Sequence, residues 1–544
     1  MGEARQFHPP LSRRAFFRRI SPLAAGLVSA TATLADSSRD APDLSRTVFS
    51  VRRYGAKGDG STKDTRAIQA AIDAASRQGG CVYLPPGRYL CGTLRLRSHV
   101  TLQWENGAEL FASQDRADFD PYERLPFNSF SDEETTDFNF ALIRGRELDG
   151  VALVGPGRID MARSKRGGPK PIALKLCKNI VIRDLTIENA PNYNISLLGC
   201  DFVEIHGVAI RNGYCDGIDP DSCRHVRISD CYVESWDDAI VLKASPSLGY
   251  LRACEQVTIT NSILTTACNG LKLGTESSDG FRDIVMSNCA IFSNPERWPN
   301  RRASSGLSLE MVDGGTLERI AVSNLTMRDV RAPIFVRLGN RGRRQPVPAP
   351  GRLSDISISD IIATGTEWAS SFTGLPEHPI ERLTVRNLRV TTKAQLEQSP
   401  WSNSNEVPEF AEKYPDAGMF GQLPAYGLFC RHAAGVLFDS ISLSLEDSDA
   451  RPGAIFDDLS GGELRSLLVQ APRGETPALL FRDLRECLVT NCRALPGAGP
   501  WAKATGARTA RLSFAANSLA ACAKPVEIGN DVDPRAVIGV SSAR

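Results

Sequence analysis

A nine-residue phrase in which apolar and polar residues alternate recurs eight times along the chain: NIVIRDLTI from Asn179, FVEIHGVAI from Phe202, HVRISDCYV from His225, QVTITNSIL from Gln256, DIVMSNCAI from Asp283, RIAVSNLTM from Arg319, DISISDIIA from Asp355 and RLTVRNLRV from Arg382. Its first apolar residue falls at Ile180, Val203, Val226, Val257, Ile284, Ile320, Ile356 and Leu383, in steps of 23, 23, 31, 27, 36, 36 and 27 residues. Alternation with period two marks a strand with one buried face, and a repeat of this length marks units that bury that face by stacking. The pattern predicts an all-β chain folded as a single-stranded, right-handed parallel β-helix, its hand assumed rather than read from the pattern.

Four places after each of those apolar residues stand Asp184, Gly207, Asp230, Asn261, Asn288, Asn324, Asp360 and Asn387. Such a column has a physical cause: a tight bend needs a residue that tolerates left-handed backbone angles, and Gly, Asn and Asp do so at least cost. Stacked at about 4.8 Å, their side chains can also hydrogen-bond along the ladder. Three places before the apolar residue stand Cys177, Cys200, Cys223 and Cys254. Neighbouring coils bring such residues within disulfide reach, yet cysteine is among the most buried residue types, so a ladder of reduced thiols is the preferred reading.

Residues 46–115 read as an N-terminal cap with the first coils. A Gly-rich turn, a helix around Thr65 to Ser76 and a PPG turn would cover the open solenoid end. Residues 116–525 are then the β-helix, interrupted at about 393–432 by a Pro- and aromatic-rich insertion that is either a cleft wall or a packed surface loop.

A second short strand follows the bend, and its first inward apolar residue aligns at Ile218, Ile240, Leu271, Leu307 and Ile334. Two places earlier stand Asp216, Asp238, Asn269, Ser305 and Ala332; one place later Asp219, Val241, Lys272, Ser308 and Phe335; three places later Asp221, Lys243, Gly274, Glu310 and Arg337. These columns point away from the core and form a polar patch on one face. Asp216 and Asp238 then sit about one coil apart with Asp237 beside them, and like charges that close raise one another's pKa unless a cation or water intervenes. One protonated acid with further carboxylates to activate a water is the equipment for glycoside hydrolysis.

Composition narrows the partners. With 64 Lys+Arg against 63 Asp+Glu and no dense basic run, nucleic acid is excluded. The one candidate membrane segment, Ile20 to Ala35, is too short and too near the N-terminus to be an anchor. It follows SRRAFFR, from Ser12 to Arg18, and precedes the small-residue tract SATATLA. Residues 1–35 therefore read as a twin-arginine export signal, giving a periplasmic or secreted monomer that starts near Ala32 to Asp36.

The segments CDGID, WDDAIVLK, CNGLKLG and GLSLE resemble degenerate forms of the four signature segments of glycoside hydrolase family 28, the polygalacturonase family, usually written NTD, DD, GHG and RIK. The likeness runs from about Phe49 to at least Val390 and includes the 21-residue spacing from Asp216 to Asp237. It implies a pectate-lyase-like solenoid and an inverting hydrolase of pectic poly- or oligosaccharide, without cofactor or metal. Asp237 would be the general acid, Asp216 and Asp238 would hold the nucleophilic water, and Lys243 would set local charge. Asn269, Lys272, Asp219, Glu310 and Arg337 would meet the substrate.

The departures are as informative. Asn269 replaces the histidine of the third segment and cannot shuttle a proton. Ser308 and Glu310 replace the arginine and lysine that grip the substrate carboxylate in the family, so the sugar there is either neutral or a shifted uronate. Near Ser308 and Glu310 the same columns carry Lys272 one coil earlier and Arg337 one coil later, and Arg431 with His432 follows the insertion. A polysaccharide lyase or uronate epimerase on the same solenoid, with calcium among Asp216, Asp219, Asp221 and Asp238, is an alternative, as is a carbohydrate-binding solenoid without catalysis.

Overall fold

The computed structural model describes residues 47–393, 403–522 and 524–539. The twin-arginine segment lies outside them. Among the described residues no helix is long and apolar enough to cross a membrane.

The coils around the acids carry three short strands each, and from Gly280 the first two run on as one, as in Gly280–Phe292, Thr316–Arg328, Arg352–Thr366 and Ile380–Thr392. Lys178–Arg183, Thr186–Glu188 and Ile195–Leu198 stack in parallel on Asp201–His206, Ala209–Gly213 and Ile218–Asp221 of the next coil. The register joins Ile180, Val203, Val226, Val257, Ile284, Ile320, Ile356 and Leu383 as successive partners. All eight are at most 2 % exposed, so each contributes about 1.5–3 kcal/mol of apolar burial. The fold is a parallel β-helix. Its parallel pairing continues to Val537–Ile538, past the limit of 525 set from the sequence.

The bend column has the backbone expected of it: Asp184, Asp230, Asn261, Asn288, Asn324, Asp360 and Asn387 have φ between 47° and 61°, and Gly207 has φ 62°. Side chains bond along the ladder, Asn324 Nδ2 to Asn288 Oδ1 at 3.1 Å and Asn387 Nδ2 to Asp360 Oδ1 at 2.8 Å. A second left-handed corner went unread in the sequence. It falls on the opening residue of every phrase, including Phe202, His225, Gln256, Arg319 and Arg382, all with φ between 51° and 58°. Neighbours along this column offset the strain: the Phe202 and His225 rings stack at 4.4 Å, and Arg319 and Arg382 pair with Asp283 and Asp355 at 2.6 and 2.7 Å. Cys177, Cys200, Cys223 and Cys254 are buried, unbridged thiols.

Helix α1, Thr65–Ala75, buries Ile68, Ala71, Ile72 and Ala75, the one-face spacing of an amphipathic helix, and packs on the strands Val48–Ser50, Gly80–Leu84 and Leu94–Arg95. The described part of the insertion, 403–427, is a packed loop. Val407, Phe420, Leu423 and Ala425 join Phe335, Phe429 and Ile455 in a separate apolar cluster. Beneath it Arg337 and Arg431 donate to the carbonyls of Glu409 and Val407 at 2.5 and 2.7 Å.

Candidate active site

The register that stacks the apolar core also stacks the polar face. Ile172, Ile195, Ile218, Ile240, Leu271 and Leu307 are successive partners, so the residues two places earlier, Lys170, Tyr193, Asp216, Asp238, Asn269 and Ser305, form one column. Gly217 permits this closeness, since a Cβ there would lie 2.4 Å from the Ala239 carbonyl oxygen. The Asp216 and Asp237 carboxylates approach within 4.8 Å, as do those of Asp237 and Asp238.

The face is not the open patch that alternation predicts. Asp216, Asp219, Asp238, Lys243, Asn269, Lys272, Glu310 and Arg337 are all at most 4 % exposed. Segments that alternation does not foresee close in on this face: the loop of Arg166 reaches Asp237, and the insertion brings Tyr414 to Thr275 and Glu409 to Arg337. Charges removed from water must be matched. Lys243 Nζ lies 2.9 Å from Asp216 and 2.6 Å from Asp219, and 4.0 Å over the Tyr193 ring. Lys272 Nζ lies 3.0 Å from Asp238, whose other oxygen accepts from Asn269 Nδ2 at 2.7 Å. Asn269 in turn accepts from Ser305 Oγ at 2.7 Å, so it positions Asp238 without transferring protons.

The carboxyl groups diverge. Burial, with repulsion from Asp237 and Asp238, pushes Asp216 well above the ordinary carboxylate range against the pull of Lys243. Burial also works against the charge on Lys243, yet Asp216 and Asp219 outweigh it and keep the ammonium protonated. One ammonium does not fully offset the burial of two acids, so Asp216 stays raised while Lys243 keeps its charge. Asp237 moves the other way. Its burial is outweighed by Arg166 and Lys272, which hold it below the usual range, with Arg166 Nη1 2.6 Å from Asp237 Oδ2. Burial raises Glu310 to about 7, while Ser308 Oγ donates to it at 2.6 Å and Lys272 stands 3.9 Å away.

Of the residues singled out in the sequence, Asp216, Asp237, Asp238, Asn269, Lys243, Lys272, Asp219 and Glu310 come together. Asp219 is 2 % exposed and bonded to Lys243. Arg337, 1 % exposed, donates to Glu409, Thr373 and Gly374 and anchors the insertion. His432 also serves the insertion, between Asp458 at 2.7 Å and Glu409 at 3.1 Å.

Sequence reasoning missed Arg166, Glu134, Lys170 and Tyr193. Extending the column two coils upstream finds Tyr193 and Lys170; Arg166 and Glu134 lie in irregular segments with no periodicity to betray them. Exposed aromatics flank the cluster. Trp236, 36 % exposed, packs edge-on against Trp298, and Tyr414, 57 % exposed, accepts from Thr275 Oγ1 at 3.0 Å. Aromatic faces beside paired carboxylates suit a sugar chain.

A family model described as Glycosyl hydrolases family 28 matches residues 142–404, which contain Asp216, Asp219, Asp237, Asp238 and Glu310, and one described as Rhamnogalacturonase A/epimerase, pectate lyase-like matches 48–115. The chain belongs to glycosyl hydrolase family 28. A probable polygalacturonase of Vitis vinifera is 27 % identical over 401 residues, covering 67 % of this chain and 80 % of that protein. Among solved structures, a hyperthermoactive exopolygalacturonase of Thermotoga maritima aligns with TM-score 0.55 at 20 % identity, over 64 % of this chain and 87 % of that one. A family 28 exopolygalacturonase of Yersinia enterocolitica aligns with TM-score 0.58 at 16 % identity, over 76 % and 78 %. These family 28 folds are right-handed parallel β-helices, the hand assumed for this chain.

Replacing Lys243 with Met strands Asp216 and Asp219 as unpaired buried carboxylates. The expected loss is about 3–5 kcal/mol in urea unfolding, with part recovered in Lys243→Met/Asp219→Asn. A neutral single substitution would contradict the pairing.

Proposed function

We propose that this protein hydrolyses glycosidic bonds of pectin-type poly- or oligosaccharides, with Asp237 as proton donor and Asp216 with Asp238 holding the attacking water. The observation that carries the reading is the convergence of the three carboxylates in one cleft, two of them tied to buried ammonium groups 2.9 and 3.0 Å away. A tethered carboxylate is suited to orienting a water and badly suited to reaching an anomeric carbon as nucleophile. This supports single displacement with inversion, although the spacing of Asp237 to Asp216 is shorter than the roughly 6.5–9.5 Å common in inverting enzymes. The pectic substrate class is supported by family membership and by the polygalacturonase relatives.

The mature enzyme is a monomer without membrane anchor, exported through the twin-arginine route into the periplasm or medium. The support for export is the Arg13–Arg14 pair ahead of the apolar tract.

Purified enzyme offered homogalacturonan, rhamnogalacturonan and neutral side-chain oligosaccharides is expected to release reducing sugar from at least one of them. Asp237→Asn should lower that rate by about 10²–10⁴. Proton NMR of the first product should find the inverted anomer. Retained configuration, unsaturated ultraviolet-absorbing ends or an active Asp237→Asn variant would each sink the reading. For export, cell fractionation should find the shortened chain, of one-chain mass on gel filtration, outside the cytoplasm, and Lys at both Arg13 and Arg14 should hold it inside; unchanged export of that variant would refute the route.

A further inference from the structure

A proton donor is of no use while it is ionised, and Asp237 is ionised by a specific contact. Arg166, in the loop between the strands Arg158–Asp160 and Lys170–Lys175, divides its guanidinium between two acids. Nε donates to Glu134 Oε1 at 3.0 Å and Nη2 to Glu134 Oε2, while Nη1 reaches Asp237 Oδ2 at 2.6 Å. The two-pronged grip on Glu134 fixes the fork whether or not Asp237 stays. The loop is itself held, with Arg163 donating to the carbonyls of Met161 and Ser113 at 3.0 and 2.9 Å and Gly167 N to that of Pro191 at 2.8 Å.

Accessibility separates Arg166 from the other cations of the cleft. The side chains of Lys243 and Lys272, the cations paired with Asp216 and Asp238, are 5 % exposed, whereas Arg166 is 44 % exposed and Asp237 25 %. A sugar can therefore reach the contact between Arg166 and Asp237 and cannot reach the buried pairs. The other groups facing Asp237 are Cys215 and Asp216 from the preceding coil, Asp238 on its own turn, and Cys268 and Lys272 from the next. Asp238 already claims Lys272 at 3.0 Å, so Arg166 is the cation whose loss would alter Asp237 most.

We propose that Arg166 is the receptor for the carboxylate of a uronate ring next to the scissile bond, and that this carboxylate displaces Asp237 from the guanidinium and so arms it as the acid. The inference rests on the hydrolase reading above and supplies the anion grip that Ser308 and Glu310 no longer offer. One carboxylate replaces another on Arg166, and Asp237, now without its cation and beside a new anion, takes a proton from solvent. That proton passes to the glycosidic oxygen as the bond to the anomeric carbon breaks. The water oxygen bonds that carbon and its proton goes to the Asp216 and Asp238 side, then to solvent. The ionised Asp237 recovers Arg166 as product leaves. An esterified or neutral ring leaves Asp237 paired and inactive.

The test compares oligogalacturonate of defined length with its methyl-esterified form, using wild type, Arg166→Gln and Arg166→Lys across pH. Wild type should favour the acidic substrate in kcat/KM. In Arg166→Gln, KM for the acidic substrate should rise about tenfold or more and the preference should collapse. The alkaline limb of kcat/KM should move up by about one pH unit or more, because the cation that keeps Asp237 ionised is gone. Arg166→Lys should recover part of the preference and part of the shift. An unchanged preference with an unmoved alkaline limb in Arg166→Gln overturns the proposal while the hydrolase reading stands. Wild type that cleaves neither these substrates nor any other pectic glycan overturns both.

Discussion

The structure turns on a single electrostatic constraint: carboxylates stacked one coil apart, out of water, must each be given a cation or a proton. Asp216 and Asp238 sit in one column of a parallel ladder, where strand spacing is about 4.8 Å, so the backbone sets their separation. The neutralising groups are set by the same ladder. Lys243 is the register partner of Asp221, and Lys272 that of Val241, so each ammonium arrives from the coil that follows its acid. Buried pairs of this kind contribute little net stability. What they provide is position, with each acid held by a contact that a sugar cannot easily displace.

Holding acids this way depends on a ladder that cannot slip. A shift by one residue would turn every polar side chain of the face into the core. Two left-handed corners per coil prevent it. One is filled by Asn, Asp and Gly at low cost. The other is filled by Phe, His, Gln and Arg as well as by Asn179, Asp283 and Asp355, and is stabilised by stacking and ion pairs between coils. With the backbone pinned at both corners, the third strand of each coil has no freedom of register, and the column of acids inherits that precision.

Much of this was legible in the sequence because solenoid geometry is periodic. The eight phrases gave the first strand and its apolar column, the Asn and Asp column gave one corner, and the alignment on Ile218, Ile240, Leu271 and Leu307 gave the stacked acids before any coordinate. Whatever breaks the period was not legible. The second corner hid because Phe202, His225 and Arg319 are poor candidates for positive φ. The burial of the face hid because it comes from loops and the insertion, whose positions follow no repeat. Arg337 shares the column of Glu310, but the insertion passes over its coil and claims the guanidinium. Arg166 and Glu134 meet Asp237 from segments distant in sequence, and no spacing announces that meeting.

The central claim is that the three carboxylates divide the work of one hydrolytic step, with Asp237 facing the leaving oxygen and Asp216 and Asp238 facing the water. A crystal structure of the inactive Asp237→Asn variant with a bound oligosaccharide tests it most directly. The account predicts the glycosidic oxygen within hydrogen-bond distance of residue 237, about 3 Å, and a water held between Asp216 and Asp238 on the opposite side of the anomeric carbon. A sugar seated away from this cleft, or one whose anomeric carbon touches Asp216 or Asp238 with no room for water, would contradict it.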